Sequence, residues 1–171
     1  MRANVRERAT SHDFDFLMGR WHVRNRRLVG RLAGLDEWDE FEAKAAARPL
    51  PGGLGNEDVF CTEYGGGFVG MSFRFYDPET ELWSIYWADS RRPGLLDPPV
   101  IGGFSGETGV FEGDDTFGGR PIRVRFTWSG AGTDTPRWEQ ALSHDGGVSW
   151  ETNWTMDFTR ARDLTPVGAA A

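Results

Sequence analysis

The chain of 171 residues has one cysteine, Cys61, so it can form neither an intrachain disulfide nor a zinc site built from cysteines. Cys61 reads as a small core or wall residue rather than a nucleophile. Histidine is nearly as scarce: His12, His22 and His144 are the only three. No apolar run approaches the roughly 18 residues that a membrane helix needs, and residues 1–11 are charged, with no apolar segment of an export signal. A soluble cytoplasmic protein without a membrane partner is therefore expected. A basic excess is missing too. The net charge of −7 and the pI near 5.0 argue against a nucleic-acid partner. Strand alternation assigns the one basic stretch, Arg24, Arg26, Arg27 and Arg31, mostly to a solvated face. The chain also lacks a P-loop, a dinucleotide fingerprint, an HExxH motif and a Ser–His–Asp arrangement.

Aromatic side chains are plentiful, at 13% with 8 Trp and 12 Phe, and 23 glycines fall between the apolar runs. That combination favours many strands joined by tight turns over helices. The length suits one domain with a sizeable core. Around Ser143-His144-Asp145-Gly146-Gly147-Val148-Ser149-Trp150, residues 138–142 and 150–158 alternate with a period of two, which predicts a β-hairpin. If pairing follows the turn, Trp138 faces Trp154 and Leu142 faces Trp150, making one wall of large apolar groups. A second hairpin is expected from 68–76 and 82–91 across a turn at 77–81. Pairing Phe75 with Trp83, Phe73 with Ile85 and Met71 with Trp87 gives an apolar face that runs on to Asp89 and Arg91. Ser72, Arg74, Tyr76, Ser84 and Tyr86 then share the polar face.

Further strands are expected at 19–29, 37–48, 57–62, 100–104 and 110–113, and through Ile122, Val124, Phe126 and Trp128. Phe41, Ala43, Ala45 and Ala47 share one face of the second strand. Residues 114–119 read as a turn, 93–99 as a loop, and 12–18 as one or two helical turns packed across an opening. The fold class expected is all-β: a single antiparallel up-and-down β-barrel of about ten strands with a short N-terminal helical segment. Closure removes the edges that an open sheet of this length would expose. A β-sandwich is the alternative. Residues 1–11 are expected as a flexible arm, 12–161 as the barrel domain and 162–171 as a disordered tail.

Gly19-Arg20-Trp21, opening the first strand, resembles the G-x-W motif of lipocalins and the wider calycin superfamily. In that family the Trp plugs one barrel end and a basic residue near the last strand packs over it. The resemblance implies that role for Arg160, with Arg162 as substitute. Ile85-Tyr86-Trp87-Ala88-Asp89-Ser90-Arg91 and Gly113-Asp114-Asp115-Thr116-Phe117 are similar to stretches of bacterial lipocalin-like proteins of unknown function. The likeness runs from about residue 12 to 161. The chain departs from secreted lipocalins in having no export signal and no disulfides. The nitrobindin branch resembles this layout and binds haem through a His. None of the three His here reads as a mid-wall ligand, and no cofactor or metal is expected. Ser143-x-Asp145-x-Gly147-x-Ser149-Trp150 also resembles the Asp-box of sialidase propellers. With one copy in a short chain, it reads as a turn-stabilising motif and not as a sign of glycosidase activity.

Together, the resemblance and the aromatic inner faces imply an interior that binds a small, largely hydrophobic or aromatic molecule. Trp21, Phe73, Trp87, Trp128, Trp138 and Trp154 are the expected lining, with Asp89, Arg91 and Gln140 fixing orientation. Asp89 and Arg91 read equally well as an ion pair pinning the loop that follows. An inward amide costs on the order of 1–3 kcal/mol if unpaired, so Gln140 and Asn25 each need a partner in the wall, in water or in a ligand. Asp114 with Asp115, and Glu57 with Asp58, read as turn residues. The alternative function is a small calycin-fold enzyme of isomerase, cyclase or decarboxylase type that encloses its substrate. Asp89 or Glu139 would then be the acid–base group and Arg91 a carboxylate anchor; no residue is assigned as catalytic outright. A third reading is a barrel packed solid, with outward Trp38, Tyr76 and Tyr86 contributing to a homodimer surface.

Overall fold

Period-two alternation continues through ten strands and closes on itself in the computed structural model, which describes residues 9–162. The strands are β1 (Gly19–Leu28), β2 (Trp38–Pro49), β3 (Gly55–Thr62), β4 (Phe68–Asp77), β5 (Leu82–Asp89), β6 (Val100–Ser105), β7 (Thr108–Phe117), β8 (Arg120–Ser129), β9 (Arg137–Ser143) and β10 (Glu151–Arg160). Each pairs antiparallel with its neighbours in sequence, and β1 closes the ring against β10. This is an all-β, up-and-down barrel, compatible with a calycin-like fold. The helical segment expected before β1 is a single 3-10 turn, Asp15–Leu17. Residues 1–8 of the expected arm and 163–171 of the expected tail lie outside the described residues.

One end of the barrel is packed shut. Phe14 and Leu17 enter it from the 3-10 turn and are buried, and the Trp21 Nε1–H donates to the Leu17 carbonyl at 2.7 Å. The Phe14 ring lies edge-on to Trp83 and Phe104, both at 5.0 Å. Ala45, opposite Trp21 on β2, is small enough to leave room for the indole. Arg160 takes the expected place over Trp21, with its guanidinium 3.8 Å from the ring. Its N–H groups donate to the carbonyls of Met18 and of Phe16, the latter at 2.6 Å. Gly19 fits here because a Cβ would sit 2.9 Å from that guanidinium, at a φ of 108°. The carbonyls of Ala9 and Thr10 accept bonds from the Tyr76 hydroxyl and the Trp83 indole, at 2.9 and 3.1 Å.

Two registers differ from expectation. In the β4–β5 hairpin, Tyr76 pairs with Trp83, Phe73 with Tyr86 and Met71 with Ala88. Asp77 is the last strand residue, and it also holds the turn: its carboxylate accepts from the Glu79 N–H at 2.8 Å and the Thr80 hydroxyl at 2.9 Å. The connection is therefore residues 78–81, one residue shorter than expected, and a one-residue slip exchanges the two faces of a strand. Trp83, Ile85, Trp87 and Asp89 face inward as expected. Across from them, Ser72, Arg74 and Tyr76 point in and Phe73 points out.

In the β9–β10 hairpin, Leu142 pairs with Glu151, Gln140 with Trp154 and Trp138 with Met156, with a bulge at Asn153 between the first and second of these pairs. The extra residue moves the alternation back by one step. Trp154, Met156 and Phe158 thereby return to the inner face. Trp150, expected on the wall, stands outside it, with the Arg125 guanidinium 3.8 Å from its ring. Residues 114–117 are likewise not a turn. β7 continues through them against β8, and the chain reverses at Gly118 and Gly119, whose φ values are 57° and 76°.

Candidate functional site

The end opposite the plug is open, and between the two lies a cavity of about 500 Å³. The interior is thus solid only at its base, which corrects the packed-barrel reading. Mid-wall, the cavity is aromatic. The Trp154 ring meets Trp138 edge-on at 5.7 Å and Trp87 at 6.5 Å, with Phe60 at 6.2 Å. Phe126 packs on Trp138 at 4.9 Å. Gly70 makes this wall possible, because a Cβ there would lie 2.0 Å from the Trp87 ring.

The floor has a polar cluster. The side chains of Arg74 and Asp58 are 5% and 12% exposed, and they form an ion pair inside the barrel. Arg74 also donates to Asn56 Oδ1 at 3.1 Å and stands over Phe14 at 5.1 Å, while its Nε–H has no partner among the described residues. Sequence reasoning missed this pair. The β4 slip had sent Arg74 outside, and Asp58 had been read as a turn residue.

The mouth is lined by Arg27, Arg31, Arg91 and Arg92 together with Asp89, Asp97, Asp114 and Asp115. Arg91 grips Asp89 with its backbone N–H and its Nε–H, both at 2.9 Å, and lies over Phe68 at 3.7 Å. Burial works against the Asp89 charge, but the bonds from Arg91 outweigh it and hold the pKa below the ordinary carboxylate value. Arg92 pairs with Asp97 at 2.8 Å, and the Asp97 N–H donates to the Trp87 carbonyl at 2.9 Å, so the 93–99 loop is tied back to the wall. Arg27 stands on the inner face of β1, 4.6 Å over the Trp154 ring, and Arg31 stands 4.7 Å over Phe117. The signal for Arg27 was available: Trp21, Val23, Asn25 and Arg27 share one parity on β1. Arg31 follows the strand and reaches the mouth only because the chain folds back there.

Of the residues expected to line the interior, Trp21, Trp87, Asp89, Arg91, Trp128, Trp138, Gln140 and Trp154 do border the cavity. Phe73 does not. It lies outside the barrel near Phe75 and Tyr86, because of the register described above. Asn25 is fully buried and does not border the cavity; it accepts from the Trp154 indole at 3.0 Å and donates to the Val23 carbonyl at 3.0 Å. Gln140 donates to Asn153 Oδ1 at 2.8 Å, so both inward amides have partners in the wall. Glu139 is on the outer face, 3.0 Å from Arg137. Of the aromatics expected outside, Trp38 and Tyr86 are there, while Tyr76 points inward. His12 is bonded to Asp15 at 2.9 Å before β1, His22 is exposed on β1, and His144 is exposed in the last hairpin turn.

The Asp-box forms a closed set of turn bonds, and none of residues 143–150 lines the cavity. The Gly147 N–H donates to the Ser143 hydroxyl at 2.8 Å, the Ser149 N–H to Asp145 at 2.9 Å, and the Trp150 indole to the Gly147 carbonyl at 3.0 Å. The Ser149 hydroxyl, the Ser149 N–H and the Ser143 hydroxyl, in that order, hold the Asp145 carboxyl far below its usual range.

Compared with models of known families and with curated proteins, the chain matches none.

Proposed function

We propose that this barrel is a calycin-like binding module that holds a small, largely apolar or aromatic molecule. The observation that carries this reading is the arrangement of Trp87, Trp138 and Trp154 around a cavity of about 500 Å³, sealed below and open above. Ligand sites are typically cavities of about 300–1,000 Å³ with apolar and aromatic walls and a few placed polar groups. Edge-on indoles present both faces and edges to a planar guest, and such ring contacts contribute about 0.5–1.5 kcal/mol each beyond burial. The alternative of an enclosing enzyme loses its two acid–base candidates: Asp89 is tied to Arg91 with a lowered pKa, and Glu139 is outside the barrel.

The test is a fluorescence titration with neutral polycyclic probes, 4-(1-pyrenyl)butanol among them. Saturable quenching of Trp emission is the expected result, with affinity lost in the Trp138→Ala, Trp154→Ala double variant. Absence of saturable binding across a broad apolar panel would overturn the reading.

A further inference from the structure

We propose that the molecule held by this barrel is an anion, with its apolar body among the indoles and a carboxylate on Arg27 and Arg31 at the mouth. The inference rests on the binding reading above and adds the class of ligand.

The argument begins with unmatched charge. Arg91 and Arg92 each have a carboxylate partner, Asp89 and Asp97. Among the described residues, neither Arg27 nor Arg31 has a carboxylate within ion-pair distance, although both border the cavity. Of the other acids nearby, Asp115 accepts from the Thr116 N–H at 2.7 Å, Asp114 lies 3.5 Å from the Arg123 guanidinium, and Glu151 accepts from the Leu32 N–H at 2.7 Å. The two guanidiniums instead lie over rings, Trp154 and Phe117. A guanidinium stacked in this way keeps its in-plane N–H donors free, in the fork that fits a carboxylate.

The placement is costly. The Arg27 pKa is pushed down to about 10, first by burial and then by the Arg31 and Arg91 cations, with Tyr64 and Asp89 acting the other way. Arg31 is lowered as well, by burial and by Arg91 and Arg92, against Glu151. An anion between them relieves this repulsion. The chain as a whole carries −7, and four aspartates share the mouth with its four arginines, so two arginines without an ion-pair partner among the described residues are a local feature and not a reflection of composition. A single negative charge is favoured over a phosphate dianion, because Asp89, Asp97, Asp114 and Asp115 border the same opening.

The experiment compares 4-(1-pyrenyl)butyrate with 4-(1-pyrenyl)butanol, which share one body and differ in charge, at about 0.1 M salt and neutral pH. The acid is expected to bind the native protein about tenfold or more tightly than the alcohol, as charge-assisted hydrogen bonds imply. The Arg27→Gln, Arg31→Gln double variant is expected to bring the acid down to the alcohol's affinity. Arg26→Gln, on the outer face beside Glu40, is the control and keeps the preference. If the native protein binds both probes equally, or the double variant keeps the preference, the anion inference is overturned and the binding reading stands. If neither probe binds, the binding reading itself fails. The comparison on the native protein needs no variant to fold.

Discussion

Removing the Asp58 carboxylate leaves the Arg74 guanidinium inside the barrel with its Nε–H already unpartnered and only the Asn56 carbonyl, at 3.1 Å, and the Phe14 ring for company. Breaking a buried ion pair from one side costs about 3–5 kcal/mol, because the surviving charge stays desolvated. The pair borders the cavity, where water can reach it, so Asp58→Ala is expected at the lower end, about 3 kcal/mol. At about 2–4 °C per kcal/mol for a domain of this size, the Tm should fall by about 6–12 °C. Urea unfolding followed by Trp fluorescence, with calorimetry as a second probe, measures both quantities. Replacing both partners, Asp58→Leu with Arg74→Met, should recover most of the loss, since a filled apolar floor has no charge to desolvate. A single variant within about 1 kcal/mol of the native protein, or a double variant worse than the single one, would refute the reasoning and mean that the pair is solvated.

Other expectations follow from the plug, the wall and the last turn. Arg160→Ala removes two carbonyl contacts and the cover over Trp21; discounted for exposure, it should cost about 1–2 kcal/mol in urea melts, and Arg160→Lys should not restore the loss, because an ammonium cannot both lie flat on the indole and reach the carbonyls of Phe16 and Met18. Gly70→Ala forces the Trp87 ring out of place and should destabilise by about 1–3 kcal/mol while weakening probe affinity, read by titration of the folded variant. Asp145→Asn tests the turn through pH. Because the folded-state pKa of Asp145 is depressed, its contribution to stability is full above the unfolded-state value and disappears as pH falls towards the folded one. The stability gap between the native protein and the Asn variant should therefore be widest near neutral pH and should narrow as pH drops below about 4. A gap that does not change with pH would contradict the bonding pattern around the turn.

The strand count, closure and most inward faces were legible because alternation is a local signal, and eight of the ten candidate lining residues border the cavity. Phe41, Ala43, Ala45 and Ala47 give the clearest case: apolar on one parity, with Glu40, Glu42 and Lys44 on the other. The misreadings came where a single residue decides parity. At Asp77 the turn holder is also the last strand residue, so counting it in the loop turned β4 inside out and hid the Arg74–Asp58 floor. Pattern reading favours that error, since it sends Phe73 to the core and Arg74 to water. At Asn153 the bulge kept Trp154 on the wall even though the pairing near the turn differs from a simple hairpin. Arg27 stands among basic neighbours that face solvent, although its own parity on β1 is that of Trp21. Arg31 carries no such signal, because its position comes from the chain folding back after β1.

The most direct measurement is the anomalous map of a crystal soaked in 1-bromonaphthalene. A bromine peak inside the barrel, within contact distance of the Trp87, Trp138 and Trp154 rings, is the predicted result. A peak confined to the outer face near Phe73 and Tyr86, or an interior filled by protein side chains, would contradict the account.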